Sequence, residues 1–142
     1  MQGISNYLMQ KLLDHASGVT AYTMPTSLTL HLYTDDPGPD DTGTEVSDTV
    51  DDTAYAAQTL TMAAAVTDGS DAWKSANDAV ETFAAVVYGS GAAPYDVTHA
   101  AVKDQSGNLM FYATLPATTT RNVGEPFAFP IGAIFNRLNR SA

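Results

Sequence analysis

Apolar residues recur at two periods along this chain, helical near its start and alternating over most of the remainder. Ile4, Leu8, Leu12 and His15 fall at helical spacing, with Met9 and Leu13 widening the stripe, so the pattern predicts a helix over residues 5–17. Ser5 supplies the short hydroxyl that accepts from a first-turn amide, and Gly18 suits the left-handed backbone that ends a helix. One side of this helix is apolar and must lie on something. It either caps the end of a sheet or docks on a neighbouring subunit.

From residue 19 the period changes to two. Residues 27–34 alternate strictly, with Leu28, Leu30 and Leu32 on one face and Thr29, His31 and Tyr33 on the other. Residues 35–52 are polar and punctuated by Pro37, Gly38, Pro39 and Gly43, which predicts a loop. Residues 58–63 alternate again, residues 67–79 are polar and hold the only tryptophan, Trp73, and residues 81–88 read as a buried strand. A glycine-rich run occupies 89–94. The clearest hairpin joins Val97–Lys103 to Leu109–Leu115 through residues 104–108. Its second arm puts Leu109, Phe111, Ala113 and Leu115 on one face, and Met110 and Tyr112 on the other. Residues 118–125 predict a further turn. Residues 127–131 predict a strand that Pro130 confines to an edge or an end, since proline cannot donate to a ladder. The pattern after Gly132 fits either a last strand or a short helix.

Short strands separated by glycine, proline and aspartate, with one N-terminal helix, predict a mainly β protein: an antiparallel β-sandwich or partly open barrel. No helices alternate with the strands, which disfavours a parallel doubly wound sheet, and no internal repeat is present. The 142 residues fit a single domain, 1–142, with the helix at 5–17, a β-structured core at 26–132 and a C-terminal tail at 133–142.

Charge narrows the function classes. Six Lys and Arg against sixteen Asp and Glu give a formal net charge of −10, so a phosphate-binding stripe for nucleic acid or an anionic membrane surface is disfavoured. No cysteine is present, which removes disulfides, thiolate chemistry and Cys-based metal sites. The start lacks the basic and apolar regions of a signal peptide, and no stretch approaches the roughly 20 apolar residues of a membrane span.

Candidate chemistry is sparse. Asp35, Asp36, Asp40, Asp41 and Glu45 cluster as calcium ligands do, but not in the EF-hand register, and a solvated acidic loop explains the same letters. His15, His31 and His99 form no short-range ligand pair. Gly89-Ser90-Gly91 lacks the spacing of a nucleophile elbow, and no paired carboxylates, Walker motif or dinucleotide-binding motif occurs. The expectation is therefore a protein that is not an enzyme, with no catalytic residue, cofactor or metal site assigned. A hydrolase centred on His99 or Ser90 is the least favoured class. Seven tyrosines (Tyr7, Tyr22, Tyr33, Tyr55, Tyr88, Tyr95, Tyr112) suit either a core or a protein interface.

Several stretches carry a family resemblance. In the first half these are Ser5-Asn6-Tyr7-Leu8, Lys11-Leu12-Leu13-Asp14-His15, Thr20-Ala21-Tyr22-Thr23 with Pro25, Leu32-Tyr33-Thr34-Asp35-Asp36-Pro37 and Thr42-Gly43-Thr44-Glu45-Val46. In the second half they are Val97-Thr98-His99, Gly107-Asn108-Leu109-Met110-Phe111-Tyr112-Ala113 and Gly124-Glu125-Pro126-Phe127. Together they resemble a family of small tailed-phage virion structural proteins usually labelled phage tail fiber proteins, over most of residues 5–130. The chain departs from the family pattern at Ala57, where an arginine is common, and at Tyr95, near where a tryptophan often stands. Residues 66–94 and those after Gly132 match poorly.

The resemblance implies a non-enzymatic structural protein on the exterior of a phage virion, made in the host cytoplasm. Its partners would be other virion proteins, either the major capsid protein or tail proteins. It would act as a capsid decoration (cement) protein or a tail-associated fibre subunit, assembling as a homo-oligomer such as a trimer. The alternative expectation is a host receptor or carbohydrate-binding module at the tail tip that uses tyrosines, Trp73 and the acidic loop.

Overall fold

The computed structural model describes residues 3–69 and 72–139. The first two residues, residues 70–71 of the polar stretch and residues 140–142 of the expected tail lie outside them. In chain order the elements are β1 (Gly3–Ile4), α1 (Asn6–Ala16), β2 (Leu28–Tyr33), β3 (Gln58–Leu60), β4 (Val66–Thr67), β5 (Ala72–Ala76), β6 (Glu81–Phe83), β7 (Tyr95–Asp104), β8 (Leu109–Arg121), β9 (Phe127–Phe129) and β10 (Phe135–Asn139). The protein is mainly β with one N-terminal helix, as its alternation predicts.

The largest sheet runs β1-β8-β7-β2-β3, with every neighbouring pair antiparallel. A three-stranded sheet β10-β5-β4 and a two-stranded ribbon β6-β9 complete it. Leu30 and Leu32 from β2 and Ala100 and Val102 from β7 bury one face of the large sheet. Phe83 of the ribbon lies in the same core, stacked on Tyr55 at 5.9 Å, tilted against Phe127 and edge-on to Phe129. Two apolar layers thus close on each other, the arrangement expected of a sandwich.

The helix forms where the capping signals put it. Ser5 accepts from the Leu8 amide at 3.0 Å and donates to the Leu109 carbonyl, while its own amide donates to Met110 O at 3.1 Å. Gly18, at φ +71, takes the left-handed turn past the Ser17 C-cap. Only Leu8 of the helix is buried. Met9, Leu12 and Leu13 remain exposed, so the apolar side does not cap the sheet over its length.

The β7–β8 hairpin is built as expected around Asp104. Its Oδ1 accepts from the amides of Ser106 and Asn108 at 2.8 and 2.9 Å. Two details differ from simple alternation. Val102 opposes Phe111 and Lys103 opposes Leu109, so Met110 is an extra residue in a β-bulge. Leu109 therefore turns away from Phe111 and packs with Tyr33 and Ala101 on the opposite face. Further on, Val97 opposes Thr119 while His99 opposes Thr114, so residues 115–118, including Pro116, bow out. Beyond this bow the strand resumes to Arg121 with the β-branched Thr119 and Thr120. The turn expected at 118–125 therefore starts only after Arg121.

The polar stretch 67–79 also differs from expectation. It contributes β5, whose partner is the C-terminal β10, with Phe135 opposite Ala76 and Leu138 opposite Trp73. Residues 135–139 therefore form a strand and not a helix. The strand read over 81–88 is regular only over β6, after which single bridges tie Val86 to Val123 and Tyr88 to Asp52.

Asn77 joins these parts. Its amide nitrogen donates to Ala79 O and Pro130 O at 2.6 and 3.0 Å, and its side-chain oxygen accepts from the Ile134 amide at 2.9 Å. The residue is 1% exposed, so no water replaces these partners. Asn77→Ala is expected to destabilise the fold by about 3 kcal/mol, read from chemical denaturation, because three buried backbone groups lose their partner at once. A loss below about 1 kcal/mol would mean that the 130–134 turn holds without it.

Candidate functional site

The acidic loop lies against the second face of the large sheet, the face that carries Thr29, His31 and Tyr33 of β2 and Lys103 of β7. Past Leu30 the neighbour of β2 changes from β3 to the loop itself. Val46 donates to Leu32 O at 3.0 Å, Thr34 donates to Thr44 O at 2.9 Å, and Tyr33 bridges to Glu45. This edge pairing fixes where the carboxylates point.

Lys103 Nζ sits 2.9 Å from Asp41 and 3.3 Å from Glu45, and 5.4 Å from the centroid of the Tyr33 ring. The Tyr33 hydroxyl donates to Asp41. Glu45 also lies 2.6 Å from His31 Nδ1 and accepts from the Tyr55 hydroxyl at 3.1 Å, and that hydroxyl accepts from the Leu32 amide at 3.0 Å. Asp41 holds φ at +57, an uncommon conformation for a side chain that aspartate tolerates better than most.

The remaining loop carboxylates are also engaged. Asp35 accepts from the amide and hydroxyl of Thr44, Asp36 from the Gly38 amide at 2.9 Å, and Asp40 from the Asn6 side chain at 2.9 Å. A Cβ at Gly43 would lie 2.6 Å from Asp36 O and Pro37 Cα, so the loop closes on itself only with glycine there. Among the described residues, no group of three His, Asp or Glu is placed to hold a metal ion.

These contacts set the ionisation. Burial works against charge on Lys103, but the hydrogen bonds and charges of Tyr33, Asp41 and Glu45 outweigh it and hold the ammonium well above its ordinary pKa. Burial would raise Glu45, yet the hydrogen bond and charge of His31, with Lys103 and Tyr55, hold it below the usual carboxylate value. Burial first, then the hydrogen bond to Asp41, pushes the Tyr33 phenol up. Asp104 behaves like Glu45: burial raises it, and the Asn108 and Ser106 donors more than offset that.

The other residues considered for chemistry are dispersed. His15 accepts from the Tyr22 amide at 3.0 Å, and His99 lies within 3.0 Å of both the Thr98 and Thr114 hydroxyls. Ser90 is exposed, in a turn whose amide donates to Thr49 O. His31 joins the acidic loop, a pairing that helix or strand periodicity does not signal. A second buried polar group is equally unannounced by periodicity: Asp52 accepts from the Ala54 and Val87 amides and the Tyr95 hydroxyl. The burial and hydrogen bonding that make this site emerge only in the fold. Burial, modified by Arg121 and Asp52, pushes the Tyr95 phenol up to about 12.

None of the seven tyrosines is exposed. The exposed apolar surface includes Met9, Leu12 and Leu13 on α1, Met24, and Trp73 opposite Leu138 on the small sheet, besides valines and Ile131 scattered over the loops and short strands. A separate groove of about 420 Å³ lies between the bowed part of β8 and the segment from β9 to Phe135.

The polar face can be tested by mutation and by pH. Lys103→Met removes the ammonium between Asp41 and Glu45, leaving only His31 beside Glu45, and is expected to cost about 2 kcal/mol in denaturant titrations, the partners being partly hydrated. For pH, Glu45 and Asp104 have folded pKa values below their unfolded values of about 4.3 and 3.9, so the unfolded chain binds more protons in acid. Their contribution is complete above those values and is lost as pH falls through the folded ones. Buried Glu81, raised by burial, acts in the opposite sense. The thermal midpoint is therefore expected to fall less steeply between about pH 6 and pH 3 in Glu45→Gln than in the parent, a comparison in which Glu81 cancels.

Comparison with known proteins bears on what these surfaces serve. No curated protein matches the chain. Residues 3–136 match the model of the family described as podophage GP4 fiber I protein gp80, and the match spans both halves of the fold from β1 into β10. A match over nearly all of the chain makes it a member of that podophage fiber protein family and, with it, a structural protein of the phage virion.

Proposed function

We propose that this protein is a tail-associated fibre subunit on the exterior of the phage particle, acting by assembly with other virion proteins and not by catalysis. The observation that carries the reading is the match of residues 3–136 to a family described as a fiber protein. The chemistry of the chain supports it. The charged groups of the polar face are spent on one another, in a clamp that orders a loop. The exposed surface includes large apolar side chains such as Met9, Leu13 and Trp73, which suits association through burial of surface. Negative charge favours an outward position over contact with packaged DNA.

A second reading, receptor binding at the tail tip, is favoured by one feature. Trp73 is 55% exposed and faces Leu138 across β5 and β10, leaving a flat aromatic surface open to a ligand.

Quantitative mass spectrometry of purified virions, with the major capsid protein as the internal standard, tests the proposal. A few copies per particle are expected. About one copy, or one third of a copy, per capsid subunit would replace the fibre reading with decoration of the shell. Absence from the virion would overturn the structural reading.

A further inference from the structure

The acidic loop meets the large sheet through three charged side chains, and two of them are histidines. Near the start of the loop, His99 Nε2 of β7 lies 3.8 Å from Asp36. In its middle, Lys103 Nζ lies 2.9 Å from Asp41. Toward its end, His31 Nδ1 of β2 lies 2.6 Å from Glu45, which also meets Lys103 Nζ and the Tyr55 hydroxyl. Both imidazoles are shielded, their side chains 15% exposed for His31 and 12% for His99. Histidine ordinarily changes charge between about pH 5 and pH 8, a range in which lysine does not.

The hydrogen bonds fix where the protons sit. The Thr98 hydroxyl has one proton and gives it to Thr34 O at 2.9 Å. It can therefore only accept from His99 Nδ1, 2.8 Å away, which places the proton of the neutral ring on Nδ1. Neutral His99 then turns the lone pair of Nε2 toward the Thr114 hydroxyl, at 3.0 Å, and toward the Asp36 carboxylate. A second proton, taken up at Nε2, turns the contact with Asp36 from repulsive to attractive. At His31, ionised Glu45 only accepts, so Nδ1 carries the proton and Nε2 faces the Thr29 hydroxyl at 2.8 Å. That hydroxyl serves either charge state, since it can donate to Nε2 or accept from it and turn to Lys103 O at 3.5 Å.

The balance of charge sets the direction. With both rings neutral, Lys103 is the one cation among the described residues that faces Asp36, Asp41 and Glu45. With both rings charged, three cations face three carboxylates. Asp35 and Asp40 are bonded to the neutral side chains of Thr44 and Asn6. The phenols of Tyr33 and Tyr55 stay neutral throughout, because burial pushes both up. The segment so fastened is the one that pairs with β2 past Leu30, through Thr34 to Thr44 O and Val46 to Leu32 O.

We propose that His31 and His99 form a proton-operated latch, which holds the acidic loop on the sheet in mild acid and loosens it as pH rises toward 8. Below about pH 5 the carboxylates themselves take up protons, so the latch is tightest just above that value. Loosening uncovers the edge of β2 at Leu32 and Thr34, where the loop supplies the pairing.

Amide hydrogen exchange on the full chain tests the latch, each rate divided by the intrinsic rate at the same pH. The reporters are the Thr34 and Val46 amides, and the Asn77 amide, bonded to Ile134 O at 2.9 Å, is the reference. Protection of the reporters relative to Asn77 is expected to fall about tenfold between about pH 5.5 and pH 8. A double variant, His31→Gln with His99→Gln, keeps a donor at each position and no titrating ring. Its ratio should stay level over the same range. A level ratio in the parent, or an equal fall in the variant, would overturn the proposal.

An NMR titration of the parent gives a second readout that needs no substitution. Both imidazoles are expected to change charge within that range, with the Thr34 and Val46 amide signals following the same curve. Rings that keep one charge state throughout, or amide signals that follow a different curve, would also overturn it.

Discussion

The ammonium of Lys103 is the charge around which one side of this molecule is organised. It sits on the central hairpin with a side chain 13% exposed, where an unmatched charge would be costly. Asp41 and Glu45 match it, and both come from one loop. To reach Lys103, Asp41 takes left-handed backbone and Glu45 aligns along the free half of β2. The same loop offers the Pro39 carbonyl and the Asp40 carboxylate to Asn6 at the start of α1. Loop order, the sheet edge and the helix position are thus coupled through one half-buried cation.

Features whose determinants lie close together in the chain are legible from the residues alone. Ser5 and Gly18 bracket the helix, Leu28, Leu30 and Leu32 declare the buried face of β2, and Asp104 with Gly107 closes the hairpin. Features that escape the pattern depend on distant partners. β5 has no alternating apolar face of its own, and becomes a strand because β10, far along the chain, supplies its ladder. Leu109 changes face because one bulge residue shifts the register, which periodicity cannot reveal. In the acidic loop the carboxylates are visible as letters. Their use is not, because Lys103 and His31 reach them only across the sheet.

The same contacts explain the surface that remains. Lys103 and Arg121 turn inward, the latter 2% exposed with its guanidinium over Phe127. Arg137 pairs with Asp68 at 2.9 Å. Among the described residues few cations are left facing out from an acidic chain, which resists non-specific contact with like-charged surfaces. Five of the tyrosines, which also suit an interface, are drawn into the core and the polar clamp: Tyr33, Tyr55, Tyr88, Tyr95 and Tyr112.

This division separates rigidity from association. The polar clamp and the Asn77 junction hold the sheets by directional bonds, those of Asn77 protected from water by burial. By contrast, α1 is tied firmly only at its first turn, and its later residues present apolar area that no described residue covers. A helix of that length gains order when its exposed face is buried, so any surface that covers it would also stabilise the helix.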